Sequence, residues 1–131
     1  MPVVSITRLH LRSFFYLFPF ALRAAASSKQ AMRSAGCRGL VSRKTRGLAF
    51  WTLTLWDDEK SLKAFLMASP HREAMPKLAG WCDEACVTHW TQDEASMPDW
   101  ASATQRLRDN GRLVRVAHPS EAHRNGTIEV S

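Results

Sequence analysis

The chain has 131 residues, 45% of them hydrophobic and 9% aromatic, with five Trp and a formal net charge of +6 at pH 7. These proportions describe one domain over residues 1–131 and exclude wholesale disorder, a collagen-like fibre and a disulfide scaffold. The charge is unevenly placed: residues 1–47 hold nine Lys or Arg and no acid, whereas residues 48–131 net −3 and begin their acids at Asp57.

The first predicted element is a strand over about residues 3–10, where Val3, Val4, Ile6 and Thr7 supply β-branched side chains. The apolar run from Phe14 to Leu22 follows. It resembles the apolar region of a secretory signal, and the Arg-rich, acid-free start as a whole resembles an organelle transit peptide. However, the run is nine residues long, contains Pro19 and ends at Arg23. It is too short to cross a membrane, which takes about 20 apolar residues. Removing it would also discard the first strand, so the segment is expected to be part of the fold. Its basic residues are dispersed among apolar ones, and no helix-turn-helix, zinc-finger or RNA-recognition signature follows. No nucleic-acid or membrane partner is expected; a basic face for an anionic ligand or an acidic partner surface is.

A helix is predicted from about Pro19, with Ala21, Leu22, Ala25 and Met32 lining one side, and Gly36 in a left-handed conformation at its end. Residues 39–43 form a second strand and residues 48–56 a third. The third is apolar on both faces, with Phe50, Thr52, Thr54 and Trp56 on one and Trp51, Leu53 and Leu55 on the other. It is therefore expected to be central and covered on both sides. Asp57, Asp58 and Glu59 suit a helix N-terminus. The helix that follows buries Leu62, Phe65 and Leu66 and breaks at Ser69-Pro70. A second piece, capped by Ser69, carries His71, Met75 and Leu78 on one face and closes at Gly80. Residues 84–91 read as a fourth strand. A short helix from about Pro98 to Asn110 uses Trp100, Ala103 and Leu107, Gly111 ends it, and residues 112–116 suit an edge strand. The last dozen residues are polar and expected to be loosely held.

The order is therefore β-α-β-β-α-β, a ferredoxin-like α+β arrangement with an antiparallel sheet and a C-terminal helix extension over residues 112–131. Two helices cover only one sheet face, so the other is expected to pack against a second copy of the chain. The three cysteines, Cys37, Cys82 and Cys86, form no C-x-x-C pair. An extended segment would put Cys82 and Cys86 on one face and His89 on the other, so no metal site is expected. Three reduced thiols fit a cytoplasmic protein.

The stretch Phe50 to Glu59, followed by Leu62, Ala64, Phe65 and Ser69-Pro70-His71-Arg72, resembles the dimeric α+β barrel superfamily. More narrowly, it is similar to the antibiotic-biosynthesis-monooxygenase and spheroidene-monooxygenase-like branch. The resemblance covers about residues 3–92. It implies a homodimer whose sheets share a barrel, with a pocket between helices and sheet in each subunit, and a monooxygenase-like oxidoreductase acting on a small apolar molecule with no cofactor or with haem.

His71 is the candidate catalytic residue, as a proton-transfer group, a ligand contact or the single protein ligand of a haem. His71 and Met75 cannot both ligate one iron, because residues four apart share a helix face while axial ligands approach from opposite sides. Trp51, Trp56, Trp81 and Trp90 are candidates for an aromatic pocket, with Phe15, Phe65 and Met75 as further ligand contacts. Arg8 and Arg12, with His10, lie where an anionic group could bind. No Gly-rich phosphate loop, nucleophile elbow, metalloprotease helix or nucleotide fingerprint is present in the sequence. Two functions stand side by side: an oxygenase, and a non-catalytic dimer that binds a small molecule or haem. The first requires a cavity holding His71; the second follows if Phe14, Phe15 or Phe65 fills that space.

Overall fold

In the computed structural model, which describes residues 1–126, the chain runs β1 (Val3–Leu11), a short 3-10 turn (Phe14–Tyr16), α1 (Leu17–Arg33), β2 (Cys37–Thr45) and β3 (Ala49–Trp56). It continues through α2 (Glu59–Met67), α3 (His71–Trp81), β4 (Cys82–Thr91), α4 (Trp100–Asn110), β5 (Arg112–Leu113) and α5 (Glu121–Asn125). The five strands form one sheet in the order β2-β3-β1-β4-β5, and every neighbouring pair is antiparallel. The fold is α+β and ferredoxin-like, with the second helix of the motif broken into α2 and α3.

Side chains alternate across the sheet, so β1 divides the molecule. Val3, Leu9 and Leu11 face a helix layer of α1, α2 and α3, where they join Trp56, Leu62 and Phe65 at one end and Phe20, Cys82 and Ala85 at the other. Val4 and Ile6 face the opposite side with Trp51, Leu53, Leu55 and Cys86. On that face, where sequence reasoning expected a second copy, α4 inserts Ala103 and Leu107 and packs Trp100 against the cluster. The Asp99 carboxylate caps α4 by accepting from the Ser102 N–H at 2.7 Å, and Arg43 clamps it to the sheet by donating to Thr104 Oγ1 at 2.9 Å.

Three further expectations change. The buried stripe of α1 is Phe20, Ala24 and Ala31, while Leu22 and Met32 point outward with Phe14, Phe15 and Phe18. The helix has apolar residues on both sides, and contact of Phe20 with Phe50, 4.8 Å between ring centroids, selects the one that packs. In β4 the register shifts between His10/Leu11: His10 pairs with Glu84 and Leu11 with Cys82, leaving Asp83 as the extra residue. That bulge puts Cys82 on the helix side and Cys86 under α4, on different faces rather than one. Finally, residues 120–126 are tied down. The Ser120 hydroxyl donates to Glu84 Oε2 at 3.0 Å, and the buried His123 ring pairs with the Val114 carbonyl at 3.0 Å. The remainder of the segment read as loose, residues 127–131, lies outside the described residues.

The break after α2 is set from α1. The Gln30 side-chain amide donates to the carbonyls of Phe65 and Ala68, at 3.1 Å each, and its oxygen accepts the His71 backbone N–H at 2.7 Å. Ser69, read as the cap of α3, is not used; one glutamine satisfies both helix ends. Just beyond the same end of α1, Gly36 has φ +86° and lies against α2, where an added Cβ would meet Ser61 Oγ at 2.2 Å. Both contacts fix how α2 and α3 sit over the sheet.

Candidate functional site

The helix layer stands on two apolar pillars. One comprises Val3, Trp56, Leu62 and Phe65, the other Leu11, Phe20, Phe50 and Leu78. Between them the sheet presents only short side chains, because Ser5 is paired with Thr54 and Thr7 with Thr52 across β1 and β3. Directly opposed residues share a face, so four hydroxyls form a shallow floor under helices held off by larger side chains. The result is a cleft with two lobes that share Ser5, Thr7, Leu9, Leu62, Leu66, His71 and Leu78 as walls. The lobe beneath α1, about 120 Å³, adds Phe20, Arg23, Ser27 and Ser28. The lobe beneath α3, about 280 Å³, adds Met75, Val87, His89, Arg112 and Arg115.

His71 stands on the wall between the lobes, in the first turn of α3. Gln30 holds its backbone, and its ring lies 4.8 Å from the Phe65 ring, which in turn lies 5.2 Å from Trp56. The ring Nδ1 is enclosed and makes no hydrogen bond to the described residues. Burial holds the His71 pKa below the ordinary imidazole value, and the Leu66 backbone, which favours the charged ring, offsets only part of that effect. The ring is therefore neutral at pH 7 and can accept a proton or a hydrogen bond from a ligand. His89, from β4, has its Nε2 3.7 Å from Glu59 Oε1 at the rim.

Of the candidates read from the sequence, His71, Phe65 and Met75 come together in this cleft. Phe14 and Phe15 do not fill it; they are 78% and 80% exposed. Trp56 lies on the helix side but beneath Phe65, as part of a pillar. Arg8, Trp51 and Trp90 lie on the other sheet face, a consequence of strand alternation, and Arg106 covers the Trp90 ring at 5.1 Å. Arg8 is buried with its Nη1 2.9 Å from Glu84 Oε1. Burial pushes the Glu84 carboxyl upward, but hydrogen bonds from Arg8 and Ser120 and the charges of Arg8 and His10 outweigh it and hold the pKa low. Arg12 donates to the Gly80 carbonyl and to the Tyr16 hydroxyl, outside the cleft. Trp81 stacks on Tyr16, with ring centroids 6.4 Å apart.

Sequence reasoning did not single out the hydroxyl floor, Gln30, Arg23, Arg112 or Arg115. The floor had a signal: Ser5, Thr7, Thr52 and Thr54 interrupt otherwise apolar strands at alternate positions. Arg112 and Arg115 had none, since the two-residue pairing of β5 with β4 sets their placement. Among the described residues no group of three or more His, Cys, Asp or Glu could hold a metal ion, and no helix is long and apolar enough to cross a membrane.

A family model described as a domain of unknown function (DUF3291) matches residues 20–113. No curated protein matches the chain. Rv0793 from Mycobacterium tuberculosis superposes with a TM-score of 0.64 at 19% identity, covering 73% of this chain and 100% of its own. A putative antibiotic biosynthesis monooxygenase from Nitrosomonas europaea gives 0.63 at 13% identity, with 70% and 89% covered. SnoaB, a cofactor-independent oxygenase from Streptomyces nogalater, gives 0.60 at 13% identity, with 75% and 98% covered. At these identities the likeness shows the fold, and the fold resembles that of antibiotic-biosynthesis-monooxygenase-like proteins, as the strand-helix motif at residues 50–72 implied.

Proposed function

We propose, for a chain that belongs to the DUF3291 family of unknown function, that it binds a small apolar molecule in the helix–sheet cleft and oxidises it with dioxygen, with His71 as the base. One observation carries this reading: an apolar cleft with a neutral imidazole on its dividing wall, whose enclosed Nδ1 has no partner among the described residues, above a floor of four hydroxyls. Apolar walls with few convergent polar groups are the general form of a small-molecule site. The likeness to SnoaB supports a fold able to host oxygenation without a cofactor.

The substrate this chemistry needs has a C–H bond acidified by a neighbouring carbonyl or phenol. His71 takes that proton, and the floor hydroxyls donate to the oxygen on which charge develops. The carbanion adds dioxygen to give a peroxide. His71 returns the proton, and loss of water leaves a carbonyl, so a CH2 group and O2 become C=O and H2O. Oxygen uptake with activated cyclic ketones or phenols, one O2 consumed per carbonyl formed, is the expected result. Binding without uptake across such a panel would leave a non-catalytic binding protein. A Soret band on adding hemin, lost in His71→Ala, would replace base catalysis with haem ligation by His71.

Homodimerisation belongs to the same reading. α4 leaves the margins of its sheet face open, with Val41 and Leu113 40% and 38% exposed, and a second copy docks over those margins. Sedimentation velocity at micromolar concentration is expected to give twice the 14.8 kDa chain mass; a monomer would end the shared-barrel arrangement. Three free thiols fit a cytoplasmic location.

A further inference from the structure

We infer that the molecule bound in the cleft carries an acid group, and that Arg112 and Arg115 hold that group at the mouth of the larger lobe. This rests on the cleft being a ligand site, as proposed above, and it names the ligand's class: an apolar body with one carboxylate.

The lining is lopsided in charge. Arg23, Arg112 and Arg115 are the only Lys, Arg, Asp or Glu among the residues that line either lobe. None of the three makes a hydrogen bond or ion pair with the described residues, whereas Arg8, Arg12, Arg38 and Arg43 are all engaged elsewhere. Glu59, a carboxylate beside His89, lines neither lobe.

Strand pairing explains why two guanidiniums converge there. Arg112 is opposed to Val87 on β4, and opposed residues share a face. Val87 lines the larger lobe, so Arg112 is delivered to the same side while Leu113, beside Cys86, goes to the other. The Val114 N–H then donates to the Ala85 carbonyl at 2.9 Å, holding the chain against β4 so that Arg115 also borders the lobe. Leu9, Leu62, Leu66, Met75 and Leu78 offer the apolar surface behind them. Guanidiniums match a carboxylate by paired, charge-assisted hydrogen bonds, and an unopposed basic mouth also draws an anion toward an apolar interior.

The test compares 2-naphthoate with its neutral isostere 2-naphthamide by titration calorimetry, on the wild-type chain and on the double variant Arg112→Gln/Arg115→Gln. Arg46→Gln, on the exposed β2–β3 turn, serves as a control for net charge. The expected result is that the acid binds about tenfold or more tightly than the amide. The double variant then loses that advantage without weakening the amide, and Arg46→Gln behaves as wild type. Equal binding of acid and amide, or an equal loss in Arg46→Gln, would overturn the assigned acid group while leaving the cleft as an apolar ligand site. Failure of both probes to bind the wild-type chain at millimolar concentration would overturn the ligand site itself, and with it this inference.

Discussion

His71→Ala is expected to lower oxygen-dependent turnover by about 100- to 10,000-fold, the usual contribution of a positioned general base, while changing ligand affinity only a few-fold. The geometry sets both halves of that expectation. The ring is one wall residue among many, so removing it takes little contact area from a ligand bounded mainly by Leu9, Leu62, Leu66 and Leu78. Its Nδ1, however, has no partner among the described residues, and burial keeps the ring neutral. The same burial gives a stability signature that needs no substrate. In the unfolded chain the imidazole titrates near its ordinary value of 6.5, and in the folded chain lower. Below 6.5 the unfolded state therefore binds more protons, and stability falls as the pH drops toward the folded value. In His71→Ala that part of the slope disappears. Denaturant midpoints measured between pH 8 and pH 5 for both proteins check it, alongside turnover. Undiminished turnover in a folded His71→Ala chain would remove the residue from the chemistry.

The elements and their order were legible because hydrophobic period, caps and breakers act locally. The third strand and the acidic start of α2 depend on neighbours within a few residues, and each appears where its residues place it. The faces were less legible. α1 has apolar residues on both sides, and only contact with Phe50 decides that Phe20 turns inward and Leu22 outward. A single extra residue at Asp83 reverses the facing of Cys82 relative to the rest of β4. At the site, His71, Phe65 and Met75 were legible as one helix-layer cluster. The cleft beneath them was not, because it arises where Ser5 and Thr7 of β1 meet Thr54 and Thr52 of β3, a pairing of residues about 50 apart in the chain. Arg8 and Trp51 looked equally suited to a ligand; alternation along β1 and β3 puts them on the face closed by α4.

Trp51→Ala is therefore expected to cost stability rather than binding, about 3–5 kcal/mol, the usual loss for deleting a large buried aromatic side chain. The indole is 1% exposed at the centre of the cluster beneath α4. It meets Trp100 of that helix edge-on, with centroids 6.4 Å apart and planes at 81°. The Arg43 guanidinium lies 4.5 Å from both ring centroids, joining them through its own charge, and reaches Thr104 at the same time. The indole N–H is spent on Thr45 Oγ1 at 2.8 Å, so no polar edge is left for a ligand. Removing the ring leaves a cavity under α4 and deprives Arg43 of one of the surfaces that cover it. Trp51→Phe keeps most of the apolar contact and gives up the Thr45 bond, for a smaller loss of roughly 0.5–1.5 kcal/mol. Equilibrium unfolding in urea, followed by far-ultraviolet circular dichroism, measures both. The phenylalanine variant also separates packing from binding, because it stays folded and its altered residue faces away from the cleft. Its affinity for 2-naphthoate should equal that of the wild-type chain. A several-fold loss there would return Trp51 to the ligand site. A cost below about 1 kcal/mol for Trp51→Ala would mean that α4 does not close this face in solution.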